Sequence, residues 1–256
     1  MDEFSMFNQL AKNTVTLSEG EEWKRHTRVT ASALSKFANK ATFEVKIQEL
    51  IDRTESYIAD TKGKPHNFHL IIANLASNII LQFNCSRDYE ITDFEFKRIR
   101  HTSWQLAIAF QYINFILTGP VFELMMKFKP HLMKLAKDSW AELEDITESI
   151  TWQRLRTYKP TDCNDALDAM IKEYRTPDDQ CDVKFVKKNL AGAIFSGIDT
   201  TAAIMNYIQL FVTFVRLMRR FEWSLPDGVT VTIPATMRGN LEFIFKPFEV
   251  CAKDRS

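Results

Sequence analysis

The chain has 256 residues, 45% hydrophobic and 26% charged, which suits one large globular domain or two small ones and excludes a disordered chain. Lysine plus arginine number 33 and aspartate plus glutamate 33, so no net field draws nucleic acid or another polyanion. With 7 glycines and 8 prolines, turns are sparse, and the expected fold class is mainly α with a small β portion. Cys85, Cys163, Cys181 and Cys251 are widely spaced with no CxxC pair; this argues against structural zinc or a disulfide framework, and no metal site is expected. The opening Met1-Asp-Glu-Phe-Ser5 is not a basic stretch followed by an apolar run. Neither a signal peptide nor an N-terminal transmembrane anchor is therefore expected, and a cytoplasmic location is the simplest reading.

In chain order, Ser18-Glu-Gly-Glu21 has the spacing of a capping box and opens a helix to about Asn39. A second helix begins at Ala41, where Phe43, Ile47, Leu50, Ile51, Thr54 and Ile58 line one face. Gly63-Lys-Pro65 breaks the chain, and Phe68 to Phe83 is apolar nearly all round, as expected of a buried helix. Thr92-x-x-Glu95 opens a further helix that ends near Leu117 to Pro120. After Pro130 the recurrence of Leu132, Leu135, Leu143, Ile146 and Ile150 predicts a long helix to about Tyr158, followed by a short one ending at Tyr174. From Asp182 to Arg220 there is no proline, and from Asn189 to Val215 the only charge is Asp199, which predicts one uninterrupted helix longer than is usual in globular proteins. Trp223 to Gly228 reads as a turn, and residues 229–231 and 241–250 read as strands.

Ser196-Gly-Ile-Asp-Thr-Thr201 on that apolar helix resembles the oxygen-helix motif of the cytochrome P450 superfamily, and more closely its animal microsomal, drug- and steroid-oxidising branch. The resemblance extends to Glu22-Trp-Lys-Arg-His-Thr-Arg28, to Gly63-Lys-Pro65 with Ala76 to Ile79, to Leu210 through Gly228, and to Pro247 through Ala252. It implies a partial cytochrome P450-like helical domain over residues 1–256. It implies catalytic roles for Gly197, Asp199 and Thr200 in handling dioxygen and protons. It implies the haem-propionate contact for Trp23 and Arg28 in a degraded form of the motif, since the arginine stands five residues after the tryptophan instead of four, about 100° further round a helix. Read from the residues alone, a satisfied polar patch is the better account of Asp199, Thr200 and Thr201.

A thiolate must bond the family's iron axially. The loop carrying that cysteine, and the Glu-x-x-Arg helix before it, have no counterpart here, because Thr200 to Asn206 runs directly into Tyr207 to Leu210. The junction of oxygen helix and last helix thus falls near residues 206–207. Haem, the family's cofactor, is not expected to bind with thiolate ligation: Cys85 reads as a core residue, Cys163 and Cys181 as surface thiols, and Cys251 as a strand residue. His26, His66, His69, His101 and His131 read as ordinary core or surface histidines.

The expectation is therefore a family member of the haem-dependent monooxygenase type, by resemblance acting on small apolar substrates, that is catalytically incompetent as this chain. The alternatives are a non-enzymatic helical interaction protein and an incomplete gene product. Uncovered apolar faces predict self-association or a covering protein, and membrane-surface association at the endoplasmic reticulum agrees with the microsomal branch. A membrane span over residues 189–215 is long enough, but Asp199 at its centre costs about 3 kcal/mol, which favours burial in protein. Phe110, Tyr112 and Phe115 fit an apolar pocket and core packing equally well.

Overall fold

The computed structural model describes residues 10, 14–15, 18–37, 41–112, 127–128, 130–175, 178, 180–197, 207–229 and 249–255, with backbone alone at 34–35, 37, 69, 110–112 and 207–212. In chain order the described elements are α1 (Gly20–Phe37), α2 (Ala41–Ala59), α3 (His69–Cys85), α4 (Phe94–Tyr112), α5 (Pro130–Leu155), α6 (Ala166–Glu173), α7 (Val183–Ser196), α8 (Tyr207–Arg220), β1 (Phe221–Ser224) and β2 (Cys251–Asp254). Among the described residues the architecture is mainly α with one small antiparallel sheet, as the sparse turns predicted.

Periodicity explains most of these helices. In α2, Ile47, Leu50, Ile51, Thr54 and Ile58 recur every three or four residues, and all are buried. That stripe packs on α3. In α5 the buried set Leu132, Ala136, Trp140, Leu143, Ile146 and Ile150 follows the same rule and lies against α4 and α7. Helix α3 differs, because Leu75, Ser77, Asn78, Ile79, Ile80, Leu81, Gln82, Phe83 and Asn84 are all buried. It is enclosed by α2, α6 and α7, and it stops where Ser86 adopts the left-handed conformation with φ 51°. The polar atoms of α3 are not wasted: the Asn74 and Asn78 amides donate to the Tyr89 carbonyl at 3.1 and 2.8 Å, and the Tyr89 N–H donates back to Asn78 Oδ1 at 2.9 Å.

The short helix α6 is positioned by charge as much as by apolar contact. Asp165 caps it by accepting from the Asp168 N–H at 2.9 Å. Arg154, at the end of α5, pairs with Asp165 and Asp168, each at 2.7 Å, and donates to the Cys85 carbonyl at 2.8 Å. One guanidinium thereby ties the ends of α3 and α5 to the start of α6.

The C-terminal elements form a second small core of Ile58, Phe68, Ile71, Leu217, Phe221 and Ala252. Its outer wall is ionic. Glu55, 4% exposed, accepts from Arg216 at 2.9 Å and from Arg220 at 2.8 Å. Arg216 also reaches Gln48 and Asp52, and Arg220 reaches Asp254 on β2. The α8 helix is thereby fastened to α2 and β2.

Several expectations change. The Ser18 hydroxyl donates to the Thr14 carbonyl at 2.8 Å, and α1 starts at Gly20 with φ +60°, so local turn bonding takes the hydroxyl away from the expected capping box. Trp223 and Ser224 belong to β1, where they pair with Ala252 and Cys251, instead of opening a turn. Strand pairing with a distant segment overrides the local turn signal there. The expected strand at 229–231 lies outside the described residues beyond Val229, and most of 241–250 does too; Val250 bridges His66. The expected continuous helix is described as α7 and α8, and its joint at 198–206 lies outside the described residues. Leu217 is buried and Phe214 is 61% exposed, so α8 has found a core for one face. Among the described residues, no helix is long and apolar enough to cross a membrane.

Replacing Glu55 with alanine removes the one carboxylate that both arginines share, leaving Arg216 with Gln48 and Asp52 and Arg220 with Asp254, and is expected to destabilise the protein by about 1.5 kcal/mol. Arg219→Ala, at an exposed position, should change stability by less than about 0.5 kcal/mol. Parallel denaturant titrations decide the point, and equal effects would show that the Glu55 cluster does not hold α8.

Candidate functional site

The α7 helix begins at Asp182, whose carboxylate accepts from the Phe185 N–H at 3.3 Å, and it buries Val186, Leu190, Ala191 and Ile194. It lies along α5, where the Thr147 hydroxyl donates to the Lys187 carbonyl at 2.9 Å and Lys187 pairs with Glu148 at 2.5 Å. At its far end stands Gly197. A Cβ added there would come 2.6 Å from Ile80 Cγ2 of α3, far inside contact distance, so the missing side chain is what lets α7 and α3 meet at this point. Asp199 and Thr200 lie outside the described residues.

On α1, Trp23 is 48% exposed and Arg28 is exposed. The inward side of this helix is carried by residues that motif reading passed over. Arg25 lies over the Tyr174 ring, with its guanidinium carbon 4.7 Å from the ring centroid, and donates to Glu173 Oε1 at 3.2 Å and to the Glu173 carbonyl. His26 is 1% exposed and shares a hydrogen bond with the Tyr174 hydroxyl. Its ring also stacks on Phe185 at 6.5 Å. A sequence signal existed: His26, Val29 and Ala33 fall at i, i+3 and i+7 and are all buried. Arg25 fastens α1 to the end of α6, and His26 against Phe185 brings it to the N-terminal end of α7; Gly197 lies twelve residues beyond Phe185, roughly 18 Å.

The sulfur chemistry can be stated for the whole chain, because all four cysteines are described. Cys85 is fully buried, its thiol donates to the Leu81 carbonyl at 3.3 Å, and burial pushes its pKa up to about 12. Cys163 and Cys181 are half-buried against the main core, contrary to the surface positions expected, and burial raises both thiols as well. They flank α6, and its docking against the core draws them in. Cys251 opens β2 and pairs in register with Ser224. A metal-bonding thiolate needs the opposite surroundings, an electropositive niche that lowers the pKa. Among the described residues no group of three or more histidines, cysteines or carboxylates converges as metal ligands. Three of the four cysteines thus sit where burial favours the thiol over the thiolate.

Comparison with known proteins settles the lineage. The family model for cytochrome P450 matches residues 3–209. The chain belongs to the cytochrome P450 family. Human cytochrome P450 2J2 is 26% identical over 211 residues, covering 78% of this chain and 41% of that protein. Mouse cytochrome P450 2J5 is 24% identical over 210 residues, covering 79% of this chain and 41% of its own length. The chain thus spans less than half the length of the curated relatives it matches. A zebrafish cytochrome P450 solved with progesterone superposes with a TM-score of 0.63 at 15% identity, covering 84% of this chain and 49% of that one. At that identity the match speaks for the fold.

Gly197→Ala is expected to cost about 2 kcal/mol by overpacking against Ile80. The double variant Gly197→Ala with Ile80→Ala should cost less than the sum of the two single changes, since the truncated Ile80 makes room for the new methyl. Strict additivity in thermal unfolding would show that the two residues do not meet.

Proposed function

We propose that this cytochrome P450 family chain forms one domain over residues 1–256, joined near residues 206–207, and that it does not perform haem-thiolate monooxygenation by itself. By resemblance, Gly197, Asp199 and Thr200 stand where the family handles dioxygen, and Trp23 and Arg28 stand where it holds the haem propionates. Small apolar compounds are the corresponding substrate class, and the endoplasmic reticulum surface the corresponding location. What supports inactivity is the state of the sulfurs. A haem-thiolate centre needs an ionised cysteine facing the iron, whereas burial holds the thiols of Cys85, Cys163 and Cys181 protonated and Cys251 lies in the β1–β2 ladder.

A second reading, a helical interaction protein, is favoured by exposed aromatic side chains: Phe94 at 76%, Phe128 at 78%, Trp104 at 51% and Trp152 at 51%. Such a protein would associate with itself, a covering protein or a membrane surface, and with no nucleic acid. Size-exclusion chromatography over a concentration series addresses the first of these, and a single monomeric peak throughout removes self-association.

The deciding experiment for the main proposal is spectroscopic. The purified chain, incubated with haem, reduced and exposed to carbon monoxide, should lack the red-shifted Soret band of cysteine-ligated iron. A clear thiolate-type band overturns the proposal, and its loss in Cys251→Ser would then assign the ligand.

A further inference from the structure

The joint between α1 and α6 places a buried imidazole where one added proton changes the hydrogen-bond arithmetic. His26 is 1% exposed and Tyr174 4%. The two rings are tilted at 42° with centroids 5.6 Å apart, and Nδ1 and the Tyr174 hydroxyl share one hydrogen bond. Phe185 of α7 closes the third side, parallel to Tyr174 within 12° at 5.9 Å. Nε2 has no hydrogen-bond partner and stands 3.8 Å from Glu22 Oε1, too far for a hydrogen bond but close enough for attraction. The charged groups around the imidazole are Glu22 and Arg25 on its own helix and Glu173 at the end of α6, the last already paired with Arg25. From α7 the contact is the apolar ring of Phe185.

In the neutral tautomer that carries its proton on Nε2, the nitrogen facing the Glu22 carboxylate, Nδ1 accepts from the Tyr174 hydroxyl and both of those buried atoms are satisfied. Protonation turns Nδ1 into a donor. The hydroxyl oxygen must then accept, and its own proton is left facing an aromatic wall. Tyr174 cannot relieve this by ionising, because burial pushes its pKa up to about 12. The added charge meanwhile sits among aromatic rings, with Glu22 attracting it and Arg25 opposing it.

We propose that His26 is a proton-sensitive latch which holds α1 against α6 and α7 while neutral and releases α1 when protonated. Burial, the largest influence, draws the imidazole below its ordinary value, with Glu22 pulling the other way. The sign follows: the unfolded or released state takes up the proton first, so the docked state is fully favoured above about pH 6.5 and loses ground as pH falls toward the lowered value. The residues on the other side of α1, Trp23 and Arg28, move with it. The latch does not depend on haem and stands or falls independently of the proposed inactivity.

Hydrogen exchange of the α1 backbone amides in the full chain, followed between pH 7.5 and 5.0 and corrected for intrinsic rates, tests the latch. Protection of α1 should fall on acidification roughly tenfold more than that of α5, and the melting temperature should drop by about 3 °C. In His26→Gln, whose amide oxygen accepts from Tyr174 but does not titrate, the excess loss should vanish. Glu22→Gln removes the attracting carboxylate at a 38% exposed position and should steepen the acid loss; this variant keeps the test alive should His26→Gln fail to fold. An imidazole titrating at or above 6.5 by NMR in the intact protein, or equal acid sensitivity of α1 and α5, overturns the proposal.

Discussion

Helix α3 carries buried side chains on every face of its C-terminal half, from Leu75 to Cys85, so it can exist only where other elements enclose it. Apolar surface of this kind contributes on the order of 25 cal/mol per Å² when hidden, and the cheapest solution is to surround the helix. The α2 stripe covers one side, α6 and α7 cover others, and Gly197 lets α7 come within contact of Ile80. Even the loop after α3 is recruited, its Tyr89 amide and carbonyl saturating Asn74 and Asn78. The positions of α1 and α5 then follow at one remove, α1 through α6 and α5 through α7.

What could be read in advance divides along the range of the forces involved. The stripe of α2 and the long periodic run of α5 were legible because an amphipathic helix writes its buried face at a fixed spacing. The all-round apolar character of α3 was legible for the same reason. The strand nature of Phe221–Ser224 was not, since Ser224-Leu-Pro-Asp-Gly228 carries a strong local turn signal, while the partner strand Cys251–Asp254 is set by tertiary pairing. At the candidate site, Gly197 could be found from its neighbours in the sequence, yet its contact with Ile80 could not. The Arg154 cluster joins residues far apart in sequence, and Arg25 and His26 meet partners 148 residues away. No spacing rule connects such pairs. The α1 face on which His26 sits was nevertheless visible, and a polar residue on a buried face asks for a distant partner.

Charge is handled throughout by concentration instead of avoidance. Arg154 satisfies Asp165, Asp168 and a carbonyl at the helix junction, while Glu55 is shared by Arg216 and Arg220. Buried ion pairs of this type add little net stability over apolar replacements, but breaking one leaves a stranded charge. Their effect is to fix which helix ends meet. For α8, which follows a joint outside the described residues, that specificity matters: an amphipathic helix could slide along an apolar surface, whereas two arginines one turn apart on a single buried carboxylate admit few registers.

These same forces explain how family membership and family chemistry can separate. The helical arrangement is maintained by contacts spread over many residues, which is why a zebrafish relative at 15% identity still superposes with a TM-score of 0.63. Thiolate ligation depends on a single sulfur in one electrostatic niche. The distributed property tolerates the loss of any one contact, whereas the local property does not survive the loss of its niche. In this chain burial drives the cysteine thiols of the main core toward their protonated form, with Cys85 raised to about 12. The packing that keeps the fold together is therefore also what holds those sulfurs as thiols.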